Sequence, residues 1–277
     1  MKISNWSSQP LNQLLFLSWR SGLFDVLGFN RRTLPRKVYT DDIFLVSYPK
    51  SGNTWLRFLI GNALTNNQCN FSNIGSIIPD IYQNWEECDQ ISRPRIMKSH
   101  RPYTSKMKKV IYLVRDGRDV AVSYYFHLLK KKQLKKNMAF DEYLNNFNRG
   151  LVNVRLGSWN AHVLRWLHKT SGDQLVIKYE DLKKDTVTEF KKILNFIGLQ
   201  KNEDEISSAI TASDFKRMQT LEQEQSAVYH DFVNTDSSIS FMRAGKVGGW
   251  KEYFTKENEE EFLLRQGEAL RLFNYVP

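Results

Sequence analysis

Four short apolar runs stand out along the 277-residue chain. They are candidate strands, and they read IFLVSY (43–48), RIMKS (95–99), KVIYLVR (109–115) and QLVIKY (174–179). Each run is apolar at consecutive rather than alternating positions, which is typical of strands that are covered on both faces, as in a parallel sheet. The pattern therefore predicts a central, mainly parallel sheet.

Stretches with helical periodicity lie between these runs. Residues 53–64 follow the first predicted strand, residues 119–130 follow the third, and residues 181–198 follow the fourth. In the last stretch Asp185 suits the N-cap of a helix and Gly198 suits its end. Strands that alternate with helices predict an α/β fold in which helices flank the sheet.

The chain shows no internal repeat and no low-complexity linker, so we expect a single domain over residues 1–277. Residues 1–40 are expected to form a helical extension that packs on it. Ligands of such folds bind beyond the carboxyl ends of the strands. We therefore expect the functional residues in the loops at 48–54, 99–107, 115–119 and 179–184.

The charge balance favours an anionic partner, because the formal net charge is +10 at pH 7. Part of this excess lies in KKKQLKKN (130–137), which lacks the interleaved aromatic residues of a single-strand nucleic-acid site. We interpret this run as a solvated helix end or loop and expect no nucleic-acid partner. Nucleic-acid binding through the run is the alternative, and a steep salt dependence would reveal it.

The two cysteines, Cys69 and Cys88, are too few for a disulfide framework or a four-ligand metal site. The apolar stretch LNQLLFLSW (11–19) is too short to span a bilayer. It suits a helix packed on the domain, with an interfacial anchor as the alternative. We expect a cytoplasmic protein with no metal and no integral membrane segment.

The segment YPKSGNTW directly after the first predicted strand has the composition of a phosphate-binding loop. Gly52 permits the tight turn that brings N–H groups to an anion, and the start of the helix adds its dipole. Lys50 supplies a point charge, but it precedes the glycine, unlike the lysine of an ATP-binding Walker A loop. Asn53 and Thr54 are expected to add donors, and Trp55 offers a flat face for a base. An ordinary strand-to-helix turn with a core tryptophan is the alternative.

Two further segments follow predicted strands. In MKSH (97–100), His100 can take a proton from an alcohol, and Lys98 points to the same side of an extended strand. In VRDGRDVAVSYY, Arg115 is a natural partner for a phosphate, Ser123 lies eight residues on, and Asp119 is expected to cap the helix. A lone histidine is more often structural than catalytic. The late segment FMRAGKVGGWKEYFT is, on its own, a flexible basic loop.

Taken in order, these four segments resemble the cytosolic-type sulfotransferase family over about residues 41–256. YPKSGNTW, KSHRP, RDGRDVAVSYYFH and FMRAGKVGGWKEYFT are similar to family segments, as are KYEDLKKD and SDFKRM. The resemblance implies transfer of a sulfuryl group from 3′-phosphoadenosine 5′-phosphosulfate (PAPS) to a hydroxyl or amine of a small molecule. It implies a P-loop-like loop that binds the phosphosulfate, and it requires no metal.

The resemblance also implies a role for each matching residue. Those around the sulfate and 5′-phosphate are Lys50, Ser51, Gly52, Asn53 and Thr54. Those at the 3′-phosphate are Arg115, Ser123, Arg243, Ala244 and Gly245. The adenine would lie between Trp55 and Phe215, with Tyr179 and Ser213 as further base contacts. His100 matches the catalytic base, Lys98 matches a lysine near the transferring group, and Lys50 would stabilise the leaving phosphate oxygen.

Some positions depart from the family pattern. Ala244 stands where a lysine is common, whereas Asn53 replaces a threonine and keeps a side-chain donor. Arg101 replaces the leucine after the base and favours an anionic or polar acceptor. Lys256 replaces a valine of the family's dimerisation segment, so we expect a monomer or a weak homodimer. The loops expected to wall the acceptor pocket carry the apolar and aromatic residues Ile78, Tyr82, Trp85, Tyr229 and Phe232.

Two other interpretations remain. One is a module that binds PAPS or its product 3′-phosphoadenosine 5′-phosphate (PAP) without transfer, although His100 argues against it. The other is an ATP-dependent P-loop kinase, which the lysine position and the lack of a clear Walker B aspartate disfavour.

Overall fold

The computed structural model describes residues 34–277, except residues 85, 169, 170, 228, 230 and 231. Most of the expected N-terminal extension, including the apolar stretch at 11–19, lies outside the described residues. Within them, no helix has the length and apolar character needed to cross a membrane.

The described residues contain one sheet of four parallel strands, in the order β2-β1-β3-β4. The strands are β1 (Ile43–Ser47), β2 (Ile96–Ser99), β3 (Lys109–Val114) and β4 (Asp173–Lys178). β1 is buried along its whole length, which explains its uninterrupted apolar run. The predicted α/β fold with a parallel sheet is confirmed, and each predicted strand end lies within one residue of the observed one.

Helices pack on both faces of this sheet. In chain order they are α1 (Asn53–Thr65), α2 (Ile74–Ile77), α3 (Gly117–Lys130), α4 (Phe140–Asn148), α5 (Trp159–His168), α6 (Tyr179–Lys184), α7 (Thr186–Ile197), α8 (Glu203–Ala212), α9 (Phe215–Glu224) and α10 (Lys256–Leu272). Short 3₁₀ turns lie at Glu87–Asp89 and Gly249–Glu252. The prediction of a loop at 179–184 was wrong, because α6 occupies it. Its first turn is acidic and its last turn basic, as the helix dipole favours.

The helix caps agree with the sequence at one helix and differ at another. Asp185 caps α7 by accepting from the Thr188 N–H, and the helix ends at Gly198 in the left-handed conformation, as predicted. The prediction that Asp119 caps α3 was wrong. Asp116 is the N-cap and accepts from the Arg118 N–H. Asp119 lies inside the helix, where its carboxylate binds a distant loop instead.

Alternate residues of the strands point into two separate hydrophobic layers. Phe44 and Val46 belong to a core cluster with residues of α3, α4, α5 and α10. Ile43 and Leu45 belong to a second cluster with residues of α1, α7 and α8. The sheet therefore lies between two layers of helices, and only its ends and edges are left for binding.

The topology brings three of the predicted functional segments to one edge of the sheet. β1 lies between β2 and β3. After β1 the chain first adds β2 on one side of it and then adds β3 on the other side. The register pairs Val46 with Ser99 and Ser47 with Leu113. The segments that follow β1, β2 and β3 therefore start side by side, at the kind of switch point where α/β folds bind ligands.

Candidate active site

A cavity of about 490 Å³ opens at the carboxyl ends of the strands. All but two of the site residues expected from the sequence line it, namely Lys50, Gly52, Asn53, Thr54, Trp55, Lys98, His100, Arg115, Ser123, Tyr179, Phe215, Arg243, Ala244 and Gly245. Ser51 and Ser213 do not line it and are fully buried. The Ser213 hydroxyl donates to the Ala209 carbonyl and accepts from Asn62. Its contacts are thus those of a helix-packing residue.

The loop after β1 is held in an unusual backbone conformation. Lys50 has a φ of 70° and Gly52 a φ of 100°. A side chain at Gly52 would place its Cβ 2.6 Å from the Tyr179 ring, so only glycine fits there. Lys50 has no such freedom, and a non-glycine residue at positive φ stores strain of a kind that clusters at functional sites.

The N-terminus of α1 is open towards the cavity. No side chain of the described part of the chain caps it, and its first backbone bond is from the Leu56 N–H to the Gly52 carbonyl, at 3.1 Å. The N–H groups of Asn53 and Thr54 precede that bond, so they and the helix dipole suit an anion.

The Asn53 side chain does not offer the donor expected from the sequence. Its amide Nδ2 donates to the Leu45 carbonyl at 3.1 Å and to the Ser47 hydroxyl at 3.2 Å. Both donors of the amide are therefore used on β1, and the backbone N–H is the donor of this residue that is left for a ligand.

Arg115, directly after β3, spans two loops beside the cavity. Its guanidinium donates to the Lys246 carbonyl at 2.7 Å, approaches the Lys50 carbonyl at 3.4 Å, and lies 3.5 Å from Asp119. Its Nε is buried and has no hydrogen-bond partner among the described residues. The Ser51 hydroxyl is likewise buried without a partner. Orphaned donors of this kind are costly unless a ligand satisfies them.

His100 is oriented by the end of β1. Its Nδ1 lies 2.8 Å from the Ser47 carbonyl oxygen, which can only accept a hydrogen bond. Nδ1 therefore carries the proton, and Nε2 keeps the lone pair of a neutral ring. Burial, together with the nearby Lys98 charge, lowers the pKa of His100 to about 3. The ring is neutral at pH 7 and can accept a proton.

A second histidine fixes the backbone of the first. His162 on α5 has Nε2 3.1 Å from the His100 carbonyl and Nδ1 3.0 Å from the Tyr112 hydroxyl. The carbonyl must accept, so His162 donates from Nε2 and accepts from Tyr112. Burial lowers the pKa of His162 to about 4, so this ring is also neutral. Its role is positional, because it does not line the cavity.

Lys98 is paired, which the sequence did not indicate. Its Nζ lies 2.6 Å from the Asp80 carboxylate, and both side chains are buried. Burial raises the pKa of Asp80, but the charge and hydrogen bond of Lys98, together with His100 and Arg57, lower it by more, so the net shift is downward. Asp80 comes from the connection between α2 and β2, where no motif marks it. The pair places a compact, nearly neutral dipole beside His100.

The late loop, residues 241–250, lines the cavity and is anchored at both ends by buried carboxylates. Glu222 on α9 accepts from the Phe241 and Met242 N–H groups at 2.6 and 2.8 Å. Asp119 on α3 accepts from the Gly248 and Trp250 N–H groups at 2.8 and 2.9 Å. The Lys50 ammonium lies 4.1 Å above the centre of the Phe241 ring. Neither anchor was found from the sequence as such.

Lys130 completes this anchor from the basic run of residues 130–137. It is buried, donates to the Ile239 carbonyl at 2.7 Å, and lies 3.7 Å from the Glu222 carboxylate. The interpretation of the run as wholly solvated was therefore wrong at its first residue, although Lys132, Lys135 and Lys136 are exposed.

The residues expected to wall an acceptor pocket have separate positions. Tyr82 lines the cavity, whereas Ile78, Tyr229 and Phe232 are buried in hydrophobic clusters outside it. Trp85 lies outside the described residues. The cavity also includes polar residues to which the sequence assigned no role, namely Gln83, Tyr124, His127, Asn153 and Arg155. Of these, Tyr124 and His127 belong to the segment RDGRDVAVSYYFH. Among the described residues, no group of three or more His, Cys, Asp or Glu could hold a metal ion.

The chain matches one family model, described as "Sulfotransferase domain", over residues 40–273. It is similar to Sulfotransferase 2A1 of Rattus norvegicus, with 32% identity over 88% of this chain and 92% of the relative. It is also similar to the 3-beta-hydroxysteroid sulfotransferase of Cavia porcellus, with 32% identity over 88% and 91% of the two chains. Among solved structures it is similar to mouse sulfotransferase SULT7A1 complexed with PAP, with a TM-score of 0.67, 29% identity, and coverage of 91% of this chain and 94% of that one.

Proposed function

Because the chain belongs to the sulfotransferase domain family, we propose that this enzyme transfers a sulfuryl group from PAPS to a hydroxyl or amine of a small molecule. The family resemblance of its four motifs is confirmed by that match. The observation that carries the proposal is the neutral His100 imidazole, which lines the same cavity as an open helix N-terminus and the loop of Lys50.

The residues at the cofactor end fit an adenosine 3′-phosphate 5′-phosphosulfate. The N–H groups at the start of α1 and the Lys50 ammonium suit the 5′ group. Arg115, with its orphaned Nε, and Ser123 suit the 3′-phosphate. Trp55 and Phe215 present aromatic faces for the adenine. The mouse relative, whose structure contains PAP, has the same fold, which supports this assignment.

The residue that moves a proton in the proposed reaction is His100. Its Nδ1–H is fixed on the Ser47 carbonyl, so Nε2 is the atom that accepts the acceptor's proton. A positioned general base contributes about 10²–10⁴-fold to a rate. PAPS supplies the electrophilic sulfuryl group when it is bound.

The loop lysine supplies charge rather than a proton in this proposal. Lys50 is held at a strained φ beside the N-terminus of α1, so its ammonium can stabilise negative charge on the leaving phosphate. We assign in-line transfer, in which the acceptor held at His100 and the phosphate held by the Lys50 loop lie on opposite sides of the sulfur.

A PAP-binding module without transferase activity is the second candidate. The fixed tautomer of His100 favours transfer over binding alone, because a module of that kind needs no base. The relatives are named as sulfotransferases, which also favours transfer.

The deciding experiment supplies labelled PAPS and fractionated small-molecule extracts to the purified protein and tracks sulfated products by mass. His100→Ala runs in parallel, with PAP affinity measured by calorimetry on both proteins. We expect products with the native protein only, and equal PAP affinity. Tight PAP binding by a protein that gives no product from any extract would favour the binding module. Turnover by His100→Ala would remove His100 as the base.

A further inference from the structure

Several polar and charged side chains line the cavity around His100. We call this part of the cavity the acceptor end. It is lined by Tyr82, Gln83, Asn153 and Tyr124, with the ion pair of Lys98 and Asp80 and the two arginines Arg101 and Arg155. The apolar side chains Pro102, Leu156, Phe241 and Met242 also line the cavity. Polar groups that line a pocket select the ligand, because the ligand must make the hydrogen bonds that these groups made to water before it bound.

The fixed charges at the acceptor end are mainly positive. Asp80 is its acidic lining residue, and the Lys98 ammonium at 2.6 Å balances that charge. His100 is neutral at pH 7, since burial holds its pKa at about 3. The acidic residue Asp214 also lines the cavity, but it caps α9 next to Phe215, at the cofactor end.

Arg101 is part of a rigid segment. It is 7% exposed, its N–H donates to the Ser99 hydroxyl at 2.9 Å, and its carbonyl accepts from the Trp166 indole at 2.9 Å. The backbone that carries its side chain is therefore fixed directly beside the proposed base. A preorganised guanidinium costs less entropy to use in binding than one on a mobile loop.

Arg155 lines the same cavity as Arg101 and lies on the connection between α4 and α5. It is exposed at the surface, lines the cavity, and makes no ion pair with any described residue. Tyr82 lies near both arginines. Burial raises the pKa of the Tyr82 phenol, while the charges of Arg101 and Arg155 lower it. Both guanidinium groups therefore lie within electrostatic reach of one hydroxyl.

We propose that the acceptor is a small hydroxylated molecule that also carries an anionic group such as a carboxylate, and that Arg101 and Arg155 bind this group beside His100. Guanidinium is the natural bidentate partner of a carboxylate, so it would also orient the acceptor hydroxyl towards the base. This inference rests on the proposed sulfotransferase function. From the sequence, Arg101 alone favoured an anionic or polar acceptor, and the structure adds Arg155 as its companion.

The test uses matched acceptors that differ only in the anion. One pair is 4-hydroxyphenylacetate and its methyl ester, and the other is a hydroxylated bile acid and its methyl ester. Initial rates with saturating PAPS give kcat and KM for each. We expect at least one acid to be used about ten- to a hundredfold more efficiently than its ester, mainly through KM, as a charge-assisted contact predicts.

Variants show whether the arginines cause this preference. Arg155→Gln is expected to raise the KM for the acid and leave the ester unchanged, and Arg101→Gln is expected to do the same. The matched control is Arg149→Gln, an exposed arginine near Arg155 in the chain that does not line the cavity. Arg155 is exposed, so its variant keeps the test valid if the buried Arg101 variant fails to fold.

Each outcome bears on one proposal separately. Esters used as well as acids, or a preference that survives Arg155→Gln, would overturn the anionic acceptor and leave the sulfotransferase intact. If neither member of either pair is sulfated, calorimetry with the PAP complex decides. Acid binding that is lost in Arg155→Gln supports the anion site without turnover, whereas no acid binding overturns it. The proposed sulfotransferase function is tested separately, by the experiment with PAPS and small-molecule extracts, which does not use these acid and ester pairs.

Discussion

Two glycines of the late loop differ in the space around them but not in the type of backbone conformation that they adopt. Gly245 and Gly248 both adopt positive φ, at 58° and 75°. A Cβ at Gly245 would lie 2.7 Å from the Phe215 ring, whereas a Cβ at Gly248 would meet no atom within 4 Å. The two glycines therefore share the conformational requirement, but only Gly245 also allows a close approach.

We predict that Gly245→Ala weakens PAP binding at least about tenfold, because the methyl group displaces the ring proposed to stack on the adenine. Gly248→Ala is the matched control and carries a similar backbone cost of about 1 kcal/mol. Calorimetry with PAP and thermal unfolding of both variants are the measurements. Equal losses of affinity in the two would contradict a specific role for Phe215.

Arg115 gives a second prediction at this scale. Arg115→Ala removes the guanidinium with the orphaned Nε, so PAP affinity is expected to fall by about ten- to a hundredfold. Affinity for 5′-AMP, which lacks the 3′-phosphate, is expected to change much less. Competition binding of the two nucleotides checks this, with the unfolding midpoint as a measure of the lost contact to Lys246. A similar loss for both nucleotides would refute its assignment to the 3′-phosphate.

The sequence predicted where the site residues lie better than it predicted which partners their side chains contact. Lys50, Gly52 and His100 could be placed because each lies in the loop that follows a strand, and strand ends converge at a known edge. The roles of Asn53 and Lys98 could not be predicted, since their partners are set by packing. Asn53 uses its amide on β1, and Lys98 pairs with Asp80 from a segment without a motif.

At the scale of elements, the cavity depends on how α3 and α9 hold the late loop. Each helix contributes one buried carboxylate that accepts hydrogen bonds from two backbone N–H groups of the loop. Loops seldom carry internal hydrogen bonds of their own, so such side chains replace them. The sequence could not reveal this, because the anchor residues lie 19 and 129 positions from the loop.

We predict that Glu222→Gln loosens the Phe241 end of this loop. Glutamine keeps one acceptor oxygen but loses the other, and it leaves the buried Lys130 beside a neutral group. The expected cost is about 1–3 kcal/mol of stability, with a raised KM for the acceptor, because Phe241 and Met242 line the cavity. Urea unfolding and steady-state kinetics measure the two effects.

The control for this variant is Glu224→Gln, on an exposed position of the same helix. It is expected to change stability by less than about 0.5 kcal/mol. If the two variants behave alike, the carboxylate of Glu222 does not anchor the loop.

For the whole molecule, the fold was easier to predict than the acceptor end. Buried parallel strands leave a pattern in local sequence, since β1 has four consecutive apolar residues and β3 has five after its first residue. The acceptor end instead combines residues 80–83, 98–102 and 153–156, which are near one another only in the folded chain. The unmarked Arg155 is the clearest case, because a lone arginine in a loop carries no signal of what it faces.

The partly buried His100 and the buried His162 make the stability of the whole fold depend on pH. The pKa is about 3 for His100 and about 4 for His162, both below the value of 6.5 expected in the unfolded chain. Between these values the unfolded state binds more protons than the folded state. The stabilisation is therefore complete above pH 6.5 and is lost as the pH falls towards the folded pKa values.

We accordingly predict that the free energy of unfolding falls by about 1.4 kcal/mol per pH unit for each histidine below pH 6.5. Urea unfolding at pH 7.5, 6.5, 5.5 and 5.0 measures this dependence. His162→Gln removes one titrating group, while glutamine can still donate to the His100 carbonyl and accept from Tyr112. Between pH 6.5 and 5.0 the free energy of unfolding of this variant is expected to fall less steeply, by about 1.4 kcal/mol per pH unit less than in the native protein. An unchanged slope in that variant would mean that His162 is not buried as a neutral ring, and the backbone support that it gives His100 would then need another explanation.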